Sequence, residues 1–280
     1  MNISKTISEG INILKENEIR NPQLDAEILL SKLIKKDKKY LILNPEEVVS
    51  SEKLDIFKNL IERRKKGEPV AYLINEKAFW KNVFYVDKDV LIPRPDTELL
   101  IEKILKIYSN KSQLQILDIG TGSGCIILSL LKERKKDYGT GIDISKKSIN
   151  VSKINAKLLN LSNRTKFFHS SIDNFNIGKY DLIVSNPPYI ELLNLKYLEK
   201  DVVNFEPKLA LNGGLDGFSK IKTVISKASS LIKKKGKLIL EIGFNQKDKV
   251  KEMLKKKGFY VNHTFQDHGN NDRCIISTKI

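Results

Sequence analysis

Two short stretches of the chain carry residue types whose spacing suits chemistry. The first is Asp118-Ile119-Gly120-Thr121-Gly122-Ser123-Gly124, which lies between an apolar run and a helical pattern. Glycines let a backbone turn tightly and let a ligand approach it closely. The spacing is G-x-G-x-G. A dinucleotide fingerprint needs its third glycine one residue later, where this chain has Cys125, and no Walker lysine follows. Pyrophosphate cofactors and nucleoside triphosphates are therefore disfavoured. Asp143 stands 143 − 124 = 19 residues after the last glycine, at the end of the next predicted strand. A carboxylate there can accept hydrogen bonds from both hydroxyls of a ribose. A nucleoside without pyrophosphate fits the pair, and S-adenosylmethionine is the common one.

The second stretch is Asn186-Pro187-Pro188-Tyr189. Two prolines fix φ and remove two backbone donors, and the residue before a proline is pushed toward extended geometry. Asn186 is thus held stiffly. A planar amide or aromatic amine nitrogen is a poor nucleophile because its lone pair is delocalised, yet it offers two N–H groups. The Asn186 side-chain oxygen can accept one and the Pro187 carbonyl the other. This pair orients the nitrogen and favours positive charge building on it. Positioning of that kind is worth about 7–11 kcal/mol. Tyr189 can pack on the flat group. Asn186, Pro187 and Tyr189 are the catalytic candidates, and methyl transfer to such a nitrogen needs no general base beforehand.

These stretches need a scaffold that brings them to one edge. From about residue 97 onward, strand and helix patterns alternate. Strands are expected at 114–119, 138–142 running into Asp143, around Phe167 and Phe168, at 181–185, 237–242, 259–265 and 273–278. Helices are expected at 125–135, from a Ser145 cap to about 159, at 218–234, and at 246–257 closed by Gly258. The alternation implies an α/β fold: a doubly wound, Rossmann-like, mainly parallel sheet of the class I methyltransferase kind, with one antiparallel strand near the end. In such a sheet both stretches fall at the carboxyl edge, where ligands bind. Ahead of it, residues 1–73 read as a small all-α domain. Ile3, Ile7, Ile11 and Leu14 recur at helical spacing, as do Ala26, Leu29, Leu30 and Leu33; a third helix runs from a Ser51 cap to Lys66 and stops at Gly67. The aromatic and β-branched residues of 76–92 predict a β-hairpin linking the two parts. The expected division is 1–73 helical, 74–96 linker and 97–280 catalytic.

With these residues in place, the chain resembles the bacterial protein-(glutamine-N5) methyltransferases that modify peptide-chain release factors. The likeness lies in VLIPRPDTE (90–98), DIGTGSG (118–124), SNPPYI (185–190), FEPKLALNGGLDG (205–217), LEIG (240–243) and DHGNNDR (267–273), and spans essentially the whole chain. NPPY alone is shared with adenine methyltransferases; its combination with the other stretches is far more specific. The resemblance implies that Gly120, Thr121, Gly122, Ser123, Gly124, Asp143 and Asn186 contact S-adenosylmethionine. It implies that Asn186, Pro187, Pro188 and Tyr189 hold the glutamine of a Gly-Gly-Gln loop, that the helical domain docks the release factor, and that Thr97 and Glu98 lie near the cofactor. After the third strand such enzymes carry an aspartate near the adenine. This chain has Ser171 followed by Ile172, so the contact falls to Ser171 or, by a shift of register, to Asp173.

Composition sets the remaining bounds. Lysine plus arginine exceeds aspartate plus glutamate by 50 − 34 = 16. The excess is scattered as solvated lysines, so direct nucleic-acid binding is not required. Cys125 and Cys274 form no CxxC pair, and His169, His263 and His268 do not stand at zinc-ligand spacing with them, so no metal is expected. No apolar run approaches the roughly 20 residues of a membrane span, and MNISKTISEG has no signal-peptide core. A cytoplasmic monomer is expected, acting on release factors free or on the ribosome. Two other classes compete. An adenine-N6 nucleic-acid methyltransferase would use the same Asn186–Tyr189 turn, but needs a target-recognition region larger than 1–73. A non-catalytic ribosome- or RNA-binding protein on this fold has no use for the glycine loop, Asp143 and NPPY together.

Overall fold

The alternation of strand and helix patterns along the chain is realised as a seven-stranded sheet with helices on both faces, in a computed structural model describing residues 1–280. The helices of the first part are α1 (Ile3–Glu16), α2 (Pro22–Ile34), α3 (Lys38–Leu43), α4 (Ser51–Lys65) and α5 (Val70–Ile74). Then follow β1 (Glu76–Phe79), β2 (Asn82–Tyr85), α6 (Glu98–Ile107), β3 (Gln115–Ile119), α7 (Cys125–Glu133), β4 (Tyr138–Asp143), α8 (Lys146–Leu158), β5 (Thr165–His169) and β6 (Tyr180–Ser185). The chain ends with α9 (Lys200–Phe205), α10 (Ser219–Leu231), β7 (Ile232–Glu241), α11 (Lys247–Lys256), β8 (Phe259–Gln266) and β9 (Asp272–Lys279). It divides into two compact units, Met1–Glu76 with Glu199–Phe205, and Lys77–Leu198 with Glu206–Ile280. No helix is long and apolar enough to cross a membrane.

The first unit packs Ile3, Leu14, Ala26, Leu29, Leu30, Leu41, Phe57 and Ile61 into one apolar core. Pro22 opens α2, where its missing N–H costs nothing. One expectation is corrected. Helix α4 is preceded by Ser50, not capped by Ser51, and makes no side-chain cap bond. Helices α3 and α5 occupy stretches of the all-α part for which no individual helix is predicted. Segment 199–205 joins this unit through Arg64, which donates to Asp25 at 2.7 Å and to Asp201 at 2.8 Å.

In the second unit the strand order is β5-β4-β3-β6-β7-β9-β8, parallel except for β9. Successive strand residues point to opposite faces. Ile116, Leu182, Val184, Ile239 and Ile276 meet α6 and α7 on one side. Leu117, Ile183, Leu238, Leu240 and Ile275 meet α10 and α11 on the other. The hairpin is shorter than expected: β2 stops at Tyr85, and Val86, Val90 and Ile92 are buried in irregular backbone. Helix α10 ends at Leu231, and β7 starts at Ile232 rather than 237. Helix α6 occupies a stretch with no earlier assignment. The hairpin braces the glycine loop, because the buried Asn155 amide donates to Tyr85 O at 2.9 Å and to Ser123 O at 2.8 Å.

Candidate active site

The strand registers place the candidate residues on one level. Ile119 pairs with Ile142 and with Ser185, and Ser185 pairs with Leu240. One residue further along each parallel strand stand Gly120, Asp143, Asn186 and Glu241. Four neighbouring strands therefore release these residues together at the carboxyl edge.

The glycine loop is held from below and open above. Gly120 and Thr121 both donate their backbone N–H groups to Ile142 O, at 2.9 and 3.0 Å. Gly120 and Gly122 have φ of +74° and +55°, and a Cβ built on either would meet nothing within 4 Å. Such backbone asks for glycine, and the space over it is free for a ligand. Gly124, by contrast, packs against Leu128 and Ser152. Asp143 accepts from Gly122 N at 2.9 Å and from Ser145 N at 2.8 Å. Burial raises its pKa, and these backbone donors oppose that rise. Ser145 caps α8 by accepting from Ser148 N, which fixes the exit from β4. Beneath the loop, the fully buried Asp118 accepts from Thr121 Oγ1 at 2.8 Å, while its Oδ1 has no partner. Burial pushes it up to about 7.

Asn186 leaves β6 with its side chain half-buried. Its Nδ2 donates to Thr97 Oγ1 at 3.2 Å. The Thr97 hydroxyl donates to Glu241 Oε2 at 2.7 Å, and the Tyr189 hydroxyl reaches Glu241 Oε1 at 3.3 Å. Glu241 is buried, which pushes it up to about 7. Tyr189 is also raised, by burial first and then by the Glu241 charge.

The backbone after NPPY is clamped. Gln246 donates from Nε2 to Tyr189 O and to Gly217 O, both at 3.1 Å, and Gly213 N donates to Ile190 O at 2.8 Å. A second brace comes from Glu206, which accepts from Arg94 Nη2 at 2.6 Å and from Ile92 N at 3.2 Å.

Thus Gly120, Thr121, Gly122, Ser123, Gly124, Asp143, Asn186, Pro187, Pro188 and Tyr189 gather at one edge. Ser171 lies two residues beyond β5, half-buried, with its hydroxyl accepting from Asn174 N at 3.4 Å; Asp173 is exposed in the following turn. Glu98 accepts from Trp80 N in the hairpin turn at 2.7 Å. Glu241, Gln246, Glu206 and Arg94 escaped the residue-by-residue reading. All but Gln246 lie inside the resembling stretches, which was their one signal.

The chain is similar in sequence and in fold to known methyltransferases. A family model described as PrmC N-terminal domain matches residues 5–74, and one described as Methyltransferase small domain matches 94–204. The chain is 41% identical over 279 residues to a release factor glutamine methyltransferase of Buchnera aphidicola subsp. Schizaphis graminum (strain Sg), covering 100% of both chains. It is 33% identical over 267 residues to a release factor glutamine methyltransferase of Caulobacter vibrioides, covering 95% of this chain and 92% of that one. A bifunctional methyltransferase of Rickettsia bellii is 37% identical over 98% of this chain, which spans about half, 54%, of that longer protein. Among solved structures, a methyltransferase from Pyrococcus furiosus superposes with a TM-score of 0.54 at 20% identity, over 79% of this chain and 98% of that one, a likeness of fold.

Proposed function

The chain belongs to the release factor glutamine methyltransferase family, and from that premise we propose that it methylates the side-chain nitrogen of the glutamine in the Gly-Gly-Gln loop of a peptide-chain release factor. The observation that carries this reading is the shared level of Gly120, Asp143 and Asn186 at the carboxyl edge of adjacent strands.

The residues fit S-adenosylmethionine. Gly120 and Gly122 leave open space over a backbone only glycine adopts readily. Asp143 spends one hydrogen bond on each oxygen, and a carboxylate can accept about four, so it keeps capacity for both ribose hydroxyls. Gly120 to Gly124, Asp143, Ser171 and Asn186 would hold the cofactor, which supplies an electrophilic methyl on a sulfonium sulfur. Asn186 Oδ1 and the Pro187 carbonyl accept the two N–H groups of the glutamine amide and aim its nitrogen. Both acceptors stabilise the positive charge that grows there, and the surplus proton leaves to solvent afterwards. Pro188 stiffens the turn and Tyr189 lies against the amide plane.

Residues 1–73 dock the release factor, 74–96 link, and 97–280 catalyse. The enzyme works as a cytoplasmic monomer on the factor, free or ribosome-bound, without needing nucleic acid. The test is peptide mass spectrometry of a bacterial release factor incubated with the protein and S-adenosylmethionine, with adenine-containing DNA or RNA in a parallel tube. One methyl on the Gly-Gly-Gln peptide and none on nucleic acid is expected. Methyl transfer to adenine instead overturns the reading.

A further inference from the structure

Asn186, Thr97 and Glu241, from three separate stretches, form a chain of hydrogen bonds that runs in one direction. Glu241 is 1% exposed and uses both oxygens, one for Thr97 and one for Tyr189. Thr97, 3% exposed, has a single hydroxyl hydrogen, and that hydrogen goes to Glu241. Toward Asn186 the Thr97 oxygen therefore offers a lone pair only. Asn186 must meet it with Nδ2, which leaves Oδ1 on the other limb of the amide.

We propose that Glu241 and Thr97 are positioning residues that set which way round the Asn186 amide sits, so that an acceptor and not a donor faces the substrate nitrogen. This rests on the function proposed above and adds two residues to it. An asparagine amide is nearly symmetric in shape, so packing alone chooses its orientation poorly. Turned over, Asn186 would present N–H groups to the N–H groups of the glutamine, and the pair would repel. An ionised carboxylate accepts only, so it determines the direction of every bond that leads back to it.

The charged surroundings of Glu241 bear on this. Arg273 on β9 attracts its charge, while Asp96 opposes it; the Tyr189 hydroxyl and the thiols of Cys125 and Cys274 also face it. Arg273 itself is held by Asp267 at 2.9 Å, with Asp96 at 3.6 Å. Burial pushes the Glu241 carboxyl up to about 7. When protonated it can donate to Thr97, whose hydrogen is then free to turn to Asn186 and admit the reversed amide. Turnover should therefore fall as pH drops through about 7.

The experiment compares Thr97→Val, Thr97→Ser and Glu241→Gln with the unaltered enzyme on a purified release factor. kcat and KM are measured from pH 6 to 8, and S-adenosylhomocysteine affinity by calorimetry. Valine keeps the shape of threonine and removes its acceptor. We expect kcat to drop roughly 100-fold in Thr97→Val while cofactor affinity stays within about threefold. Serine restores most of the turnover. Glu241→Gln, whose NH2 can donate to Thr97 as the protonated carboxyl does, should have lowered kcat at every pH and no acid limb in its profile. The proposal is overturned by a Thr97→Val enzyme with near-normal kcat, by equal loss in the valine and serine variants, or by loss of cofactor binding in step with kcat, which marks a structural strut. Failure of the unaltered enzyme to methylate glutamine overturns the proposed function and this role together; unaltered turnover with an indifferent Thr97→Val sinks this role alone.

Discussion

The backbone N–H of Gly122 donates to the carboxylate of Asp143 across 2.9 Å, so the residue assigned to the ribose also shapes the loop beside it. Asp143→Ala removes both roles. Cofactor affinity should weaken about 10–100-fold, the worth of one or two hydrogen bonds to a charged group. Asp143→Asn should be nearly as weak, because its NH2 group must face the N–H of either Gly122 or Ser145. Calorimetric titration with S-adenosylhomocysteine checks this; an asparagine variant that binds like the parent contradicts it.

Asn186→Ala should lower single-turnover methyl transfer by about three orders of magnitude, the upper range for losing a preorganised polar group. Asn186→Asp should also fail, since it sets an acceptor against the lone pair of Thr97. Activity of the aspartate variant near the parent level would refute the assigned direction of that bond.

Gly213 and Gly217 test the clamp on NPPY. A Cβ at Gly213 would lie 2.8 Å from the Tyr189 Cα, and one at Gly217, with φ of +72°, would lie 2.6 Å from Tyr189 O. Alanine at either site should cost roughly 1–3 kcal/mol of stability through overpacking. It should also reduce kcat, with the loss larger at Gly217, where backbone strain adds. Denaturant unfolding and turnover of the two variants provide the comparison.

Glu206→Ala should destabilise by about 2–3 kcal/mol. The glutamate is 4% exposed, and its loss strands both the Ile92 N–H and the Arg94 guanidinium. Glu206→Gln keeps an acceptor for Ile92 and should recover part of the loss. Thermal unfolding midpoints in the order parent, glutamine, alanine are the expected result.

Asp118 should make the ligand-free fold lose stability as pH rises toward neutrality. Its carboxyl is pushed up to about 7 by burial, well above its unfolded value near 3.8. A raised folded pKa means that its contribution is fully present below the unfolded value and is lost as pH rises through the folded one. Ligand-free stability should therefore decline between about pH 4 and 7 on this account, with Glu241 acting in the same sense. Asp118→Asn should flatten that slope in urea melts; an unchanged slope argues against a buried titrating Asp118.

How much of this was written in the sequence depends on the kind of residue. Strands buried on both faces read as apolar runs, so LQILDI and DLIVS declared β3 and β6 directly. The glycine loop, Asp143 and NPPY declared themselves because each breaks an expected pattern. Glu241 did not. A carboxylate ending an apolar strand looks solvated until its partner is known, and Thr97 lies 144 residues away. Helices α3 and α5 have 6 and 5 residues, too few to show a period. Val86, Val90 and Ile92 were read as strand because burial alone makes irregular backbone equally apolar.

Arg64 has a consequence for modularity. Residues 5–74 look like a detachable unit in any comparison of sequence. Yet one of the two carboxylates on the Arg64 guanidinium, Asp201, comes from a segment encoded far downstream, between β6 and β7. A fragment ending at Glu76 would leave that side chain, 9% exposed, with Asp25 and the Glu68 carbonyl but without its second carboxylate. The helical part and the catalytic part are therefore interleaved along the chain rather than strung end to end. Gene fusion or shuffling at the obvious boundary would move an incomplete piece.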